Sequence, residues 1–265
     1  MLMNEQSTKG NMSFTCKTLT KIAVLQYRGL FLWNTPVSIT SNAIVSPVLV
    51  VVTYYFIVRN VISEPLGSLL ISVAIVAGGS TAASAVLQSA SNDYNFGTKD
   101  ARLMMPLSTV VQDLLILIAM VPIVVLTISS STVAATILHA SSPRGYYAWL
   151  AVVVIVAAAS LVMFSGVISL LRSVRDDWVS GVLLINGLVL AGSGAIIPRT
   201  ALPYGLDWLS LVVPTSHVTA AARSVLNETF TLFSFWRYIA FEFVLISSYA
   251  AIFVTYHMRI VRRIN

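Results

Sequence analysis

Six apolar blocks, at 37–58, 66–90, 110–129, 146–171, 179–197 and 238–256, run along the chain with Asp113 and Glu242 as their only charged residues. A bilayer core of about 30 Å needs about 20 apolar residues per helix, so each block is long enough to span. Inside hydrocarbon the backbone must satisfy its own hydrogen bonds, which makes helices the natural reading of such blocks. The expected fold class is therefore an all-α polytopic membrane protein with six transmembrane helices. The composition agrees: 57% of the 265 residues are hydrophobic and only 10% charged, against about 25% charged in soluble domains. Six spans leave little chain for a soluble domain, so residues 1–265 read as a single transmembrane domain. The polar tail 1–18 lacks the apolar stretch of a secretory signal. Cys16 is the only cysteine, which excludes a disulfide framework within one chain.

The net charge of +6 is distributed by topology. Lys9, Lys17, Lys21 and Arg28 precede the first block, Lys99 and Arg102 follow the second, Arg172 and Arg175 follow the fourth, and Arg259, Arg262 and Arg263 close the chain. With alternating spans these all fall on one side, leaving Arg59, Arg144, Arg199, Arg223 and Arg237 on the other. The positive-inside rule then puts both termini in the cytoplasm. Topology and attraction to anionic lipid account for the basic residues without nucleic acid.

Three connecting segments stand out. Residues 19–36 mix Ile22, Leu25, Leu32 and Trp33 with Lys21, Gln26 and Arg28. That pattern predicts an amphipathic helix lying in the interface, either as an anchor or as a docking surface presenting Lys21, Gln26 and Arg28. The cytoplasmic segment 91–107 opens on polar residues and ends near Pro106. A short helix there would show Tyr94, Phe96, Lys99, Asp100 and Arg102 to a protein partner, the alternative being a solvated loop. The external segment 198–235 is broken by Pro198, Pro203 and Pro214, yet 206–213 is too apolar for a water-facing loop and too short to cross. Two short helices dipping part-way into the outer leaflet fit it, as a peripheral cap or as an external gate with Pro203, Trp208, Pro214 and His217. The intervening stretch 130–145 is Ser/Thr-rich and reads as an external connection without a fold of its own.

Within the blocks, Gly79 with Ala83, Ser80 with Ser84, and the run Ala157-Ala158-Ala159-Ser160 read as seams where helices approach closely. Pro47 and Pro122 predict kinks or local unwinding. Glu242, Asn186 and Ser193 are the pathway candidates, because polar groups in spans face protein or water. Glu242 is expected to pair with Arg237, Arg223 or His217, the alternative being part of a cation-attracting site, and Asp113 to pair with a basic residue such as Arg102 or Arg172.

The amphipathic segment 19–36, the run Asp100-Ala101-Arg102-Leu103-Met104-Met105-Pro106-Leu107-Ser108, and the Pro/Leu-rich stretch from Pro198 through Pro203 and Pro214 to Arg223 occur in that order. In this order the chain resembles the membrane subunit of a bacterial type-2 ABC exporter, with a drug-resistance-exporter flavour. The resemblance implies an ATP-driven exporter permease in the bacterial cytoplasmic membrane. Two protomers, identical or paralogous, would enclose the translocation pathway. Separate ABC ATPase subunits would carry ATP and Mg, the segment 91–107 would couple to them, and 198–235 would be a re-entrant helical pair. A drug-like, peptide, lipid or glycan amphiphile is the implied substrate class. The sequence has no G-x-x-x-x-G-K-[ST] phosphate loop, so ATP-driven transport would need its ATPase on another polypeptide.

Two other classes remain. A channel or secondary carrier would work without ATP, although relay charges in the blocks are few. An intramembrane hydrolase would need a nucleophile such as Ser193, but Gly192-Ser193-Gly194 lacks the G-x-S-x-G frame. His139, His217 and His257 are widely separated and no H-E-x-x-H motif occurs, so the chain reads as a transport subunit with neither a catalytic residue nor a metal ligand of its own.

Overall fold

A computed structural model describes residues 40–61, 67–80, 109–139, 147–171, 187, 189, 192–195, 208–226 and 231–264. All regular structure among them is helical: α1 (Ser46–Val61), α2 (Gly67–Ser80), α3 (Thr109–His139), α4 (Tyr147–Leu171), α5 (Leu209–Val212), α6 (Ser216–Leu226) and α7 (Leu232–Ile264). Three of them contain stretches long and apolar enough to cross a membrane, Val110–Leu138, Tyr147–Ile168 and Leu232–Tyr256. Ala43–Ile57 and Gly67–Ser80 are apolar but shorter. These apolar helices mark a membrane-embedded protein. The fifth apolar block is described only at 187, 189 and 192–195. Segments 19–36 and 91–107, expected to be an interfacial helix and a coupling loop, lie outside the described residues.

The third helix is longer than its apolar block. It continues through Ser130–His139, where the sequence predicts a connection without structure. The hydroxyls explain it, because each is satisfied on the helix's own carbonyls. Ser130 donates to Thr127 O at 2.9 Å, Ser131 to Ile128 O at 2.9 Å, Thr132 to Ile128 O at 2.7 Å and Thr136 to Val133 O at 2.8 Å. At about 1.5 Å rise per residue, α3 and α7 measure about 46 and 50 Å, well beyond the hydrocarbon thickness. The last helix also starts earlier than its block, so 232–235 belongs to α7.

Pro47 perturbs its helix in a specific way. Ser41–Val45 is a π turn, in which the N–H of Ser46 reaches back to Ser41 O. Pro47 has no N–H to give Ala43 O, its ordinary α-helical acceptor. The Ser130 hydroxyl of α3 lies 3.0 Å from that carbonyl and shares its one proton between it and Thr127 O. Pro122, by contrast, lies inside α3 with helix on both sides.

Helix α4 is the hub: α3, α6 and α7 all pack on it. Its small residues permit this, with Ala157, Ala158 and Ser160 fully buried. The second helix also comes close. A Cβ on Gly78 would lie 2.7 Å from Ile128 Cα, and one on Gly79 would lie 2.5 Å from Leu161 Cδ1. The Ser131 hydroxyl of α3, its one proton shared with Ile128 O, also reaches Ala74 O at 2.8 Å. Helix α7 buries a narrow stripe, Phe235, Ile239, Glu242, Tyr249 and Phe253, and exposes Phe233, Phe243 and Val244 on its other faces. Trp149 of α4 meets Phe235 edge-on with centroids 5.0 Å apart, and Phe164 meets Tyr249 at 5.5 Å. The buried stripe of a largely exposed apolar helix therefore contains a carboxyl.

Candidate functional site

One set of buried polar groups, among them Ser193, Ser210, Thr215, Ser216 and Thr219, gathers around the break between α5 and α6. Ser216 Oγ donates to Ser210 O and folds the two short helices together. The break itself runs through Val213, Pro214 and Thr215, all buried. Thr215 takes φ 84°, a left-handed conformation that is an outlier for a β-branched residue. Helix α6 then presents Val218, Ala221, Ala222 and Val225 to the interior, an i, i+3, i+4, i+7 face that is fully buried.

Two networks hang on this break. On one side, Ser160 of α4 donates to Glu242 Oε1 of α7, and the backbone N–H of Thr215 bears on the same carboxyl. Tyr249, two helical turns along α7, donates its hydroxyl to Val212 O. The His217 ring stacks on Phe241 with centroids 5.5 Å apart and planes 20° from parallel. On the other side, Thr219 Oγ1 donates to Ser193 O at 2.8 Å, and the N–H of Ala195 donates to Ser193 Oγ at 3.1 Å. Arg223 donates through Nε to Ser72 Oγ of α2 at 2.8 Å and through Nη2 to Ala195 O at 3.0 Å. Gly192 lets the 192–195 segment close on Val213, because a Cβ there would meet Val213 Cγ2 at 2.6 Å. The short helices are thereby tied to α2, α4, α7 and the 192–195 segment through a buried polar layer.

Of the residues singled out from sequence, Glu242, Ser193, Pro214 and His217 all border this layer and are buried. Trp208 lies at its edge, exposed, with its carbonyl accepting from the N–H groups of Leu211 and Val212. Tyr94, Phe96, Lys99, Asp100, Arg102, Lys21, Gln26, Arg28, Asn186 and Pro203 lie outside the described residues. The ion pair expected of Glu242 is replaced by a hydroxyl donor. Arg223 bonds Ser72 and Ala195, Arg237 is exposed with its guanidinium 5.6 Å from the Tyr238 ring centroid, and His217 stacks on Phe241. Ser160, Thr215, Tyr249 and Ser72 escape the sequence reading. Ser160 hides at the end of a run of alanines that accounts for itself as a packing seam.

Among the described residues no group of three or more His, Cys, Asp or Glu side chains converges as a metal site would require. No protein-family model, curated protein or solved structure matches the chain. The functional reading therefore stands on the residues themselves.

Proposed function

We propose that this chain is the membrane subunit of an ATP-driven ABC exporter in a bacterial cytoplasmic membrane. It would have six spans and both termini in the cytoplasm. Two protomers would form the pathway, and separate ATPase subunits would bind ATP and Mg. Segment 91–107, with Tyr94, Phe96, Lys99, Asp100 and Arg102, would receive the ATPase, assisted by Lys21, Gln26 and Arg28. Asn186, Ser193 and Glu242 would lie along the pathway, and the re-entrant pair with Pro203, Trp208, Pro214 and His217 would close its outer end. The observation that carries this reading is the pair of short helices, Leu209–Val212 and Ser216–Leu226, joined at a proline-containing break immediately before the last long apolar helix. The sequence resemblance expects such an arrangement at this position. The lack of a phosphate loop anywhere in the sequence supports a partner ATPase.

The test is co-expression with an ABC ATPase encoded beside this chain, if there is one, followed by co-purification and ATP hydrolysis in lipid. The expected result is a stable, ATP-hydrolysing complex that falls apart when Tyr94, Phe96 and Arg102 are all changed to alanine while the chain still inserts. A well-folded chain that binds no ATPase would sink the reading. One alternative has an observation of its own: the fully buried Glu242 suits a secondary carrier, and substrate flux into vesicles without ATP would favour it.

A further inference from the structure

A carboxylate in an apolar interior is costly unless its charge is cancelled, and neutral donors solvate it without cancelling it. Glu242 is fully buried, and its oxygens are treated unequally. Oε1 accepts the Ser160 hydroxyl, while Oε2 has no hydrogen-bond partner. Thr215 is also fully buried, and its Oγ1 has no hydrogen-bond partner either. The two residues are neighbours, since His217 stacks on Phe241 to one side of them and Tyr249 donates to Val212 O on the other. They also meet at an interruption between two helices, where backbone carbonyls leave regular helical bonding. Such interruptions are where membrane bundles hold small ions.

The surrounding ionisable groups do not cancel the charge. Helix α4 has none beyond Tyr147 at its start. From α6 come His217, stacked on Phe241, and Arg223, bonded to Ser72 and Ala195. From α7 come Arg237 and Tyr238 nearer its start, with Arg237 exposed, and Tyr249, bonded to Val212 O. A divalent ion would call for further acidic ligands, and no cluster of them forms among the described residues.

We propose that Glu242 and Thr215 form a binding site for one small monovalent cation, a proton or an alkali-metal ion, at the break between α5 and α6. A proton would sit on Glu242 Oε2, the carboxyl oxygen that no donor reaches. An alkali ion would take both oxygens as ligands. In either case Ser160 holds the other carboxyl oxygen, and the occupant clamps the short helical pair to α4 and α7. Releasing it leaves an uncompensated carboxylate whose Oε2 only water entering the break can solvate, so occupancy stabilises the closed packing seen here. This inference needs no ATPase and does not rest on the exporter reading.

The test uses the full chain in nanodiscs of zwitterionic phosphatidylcholine, with N-methylglucamine as the background cation. The melting temperature is read from tryptophan fluorescence. One arm adds sodium, potassium or lithium chloride at fixed pH, and the other varies pH between about 5 and 9 without alkali ions. A saturable rise with an alkali ion identifies that ion as occupant, and a rise on acidification alone identifies the proton. Either response should vanish in Glu242→Gln. Thr215→Val should weaken the apparent affinity by about tenfold, the size of losing one neutral hydrogen-bonding ligand. His217 is a second ionisable group beside the break, so the pH arm is repeated in His217→Gln, where the response must survive. Infrared difference spectra of the wild type, with and without the cation, should show the carboxyl band changing, and this holds even where Glu242→Gln does not fold. A wild type indifferent to alkali ions and to pH, with an unchanged carboxyl band, overturns the proposal. So does a response of equal size in Glu242→Gln.

Discussion

Glu242 and Ser160 are 82 positions apart and meet across the contact between α4 and α7. Interhelical hydrogen bonds in membranes average about 0.6 kcal/mol and reach about 1.7, and a carboxyl acceptor belongs near the upper end. A double-mutant cycle should therefore give Ser160→Ala and Glu242→Gln a coupling of about 1–2 kcal/mol in thermal or denaturant unfolding in lipid. Additive effects would mean that the hydroxyl merely fills space. The carboxyl itself was legible in the sequence, as one of two charges in six apolar blocks. Its partner was not, because a serine after three alanines explains itself as a packing residue. Arg237, Arg223 and His217 looked like partners because they carry charge, yet Arg223 is bonded to Ser72 of α2 and to Ala195 O, contacts that no local pattern reveals.

At the scale of elements, hydropathy locates helices better than it bounds them. The 110–129 block predicts α3 but stops ten residues short, because serine and threonine score as polar even where their hydroxyls bond back to the helix. The Pro214 break is legible from its proline, whereas the left-handed Thr215 after it is not. Small residues in the second block are legible as a seam, but only the structure tells apart neighbouring glycines. A Cβ at Gly78 meets backbone, Ile128 Cα at 2.7 Å, and also the Ser131 hydroxyl at 2.9 Å. A Cβ at Gly79 meets the far end of a side chain, Leu161 Cδ1, which can rotate away. Gly78→Ala should therefore destabilise the bundle by about 1–3 kcal/mol as helices α2 and α3 are forced apart. Gly79→Ala should cost less than about 1 kcal/mol once its helix-propensity gain is included. Unfolding of both variants in the same lipid decides the order, and the reverse order would mean that α2 does not hold this register against α3.

For the whole molecule, the number of crossings fixes which residues share a side. Among the described residues three helices carry stretches that satisfy the length and hydropathy of a span on their own, while the sequence offers six blocks. Six crossings return the C-terminus to the side of the N-terminus, and the basic residues at 9–28 and 259–263 are placed as the positive-inside rule requires for that arrangement. An odd number would leave one of these basic ends outside. The single cysteine makes the distinction measurable. In intact cells, Cys16 should resist a membrane-impermeant maleimide and should react once the cells are permeabilised. In a Cys16→Ser background, Asn265→Cys should behave in the same way, whereas Ser142→Cys, just beyond the C-terminal end of α3, should react in intact cells. If positions 142 and 265 label together, the chain crosses an even number of times between them, against the three that six spans require. The ends of α3 and α7 would then face the same compartment: if it is the outside, Pro214 lies on the cytoplasmic side and no outer gate survives, and if it is the cytoplasm, segment 91–107 lies outside and cannot receive an ATPase.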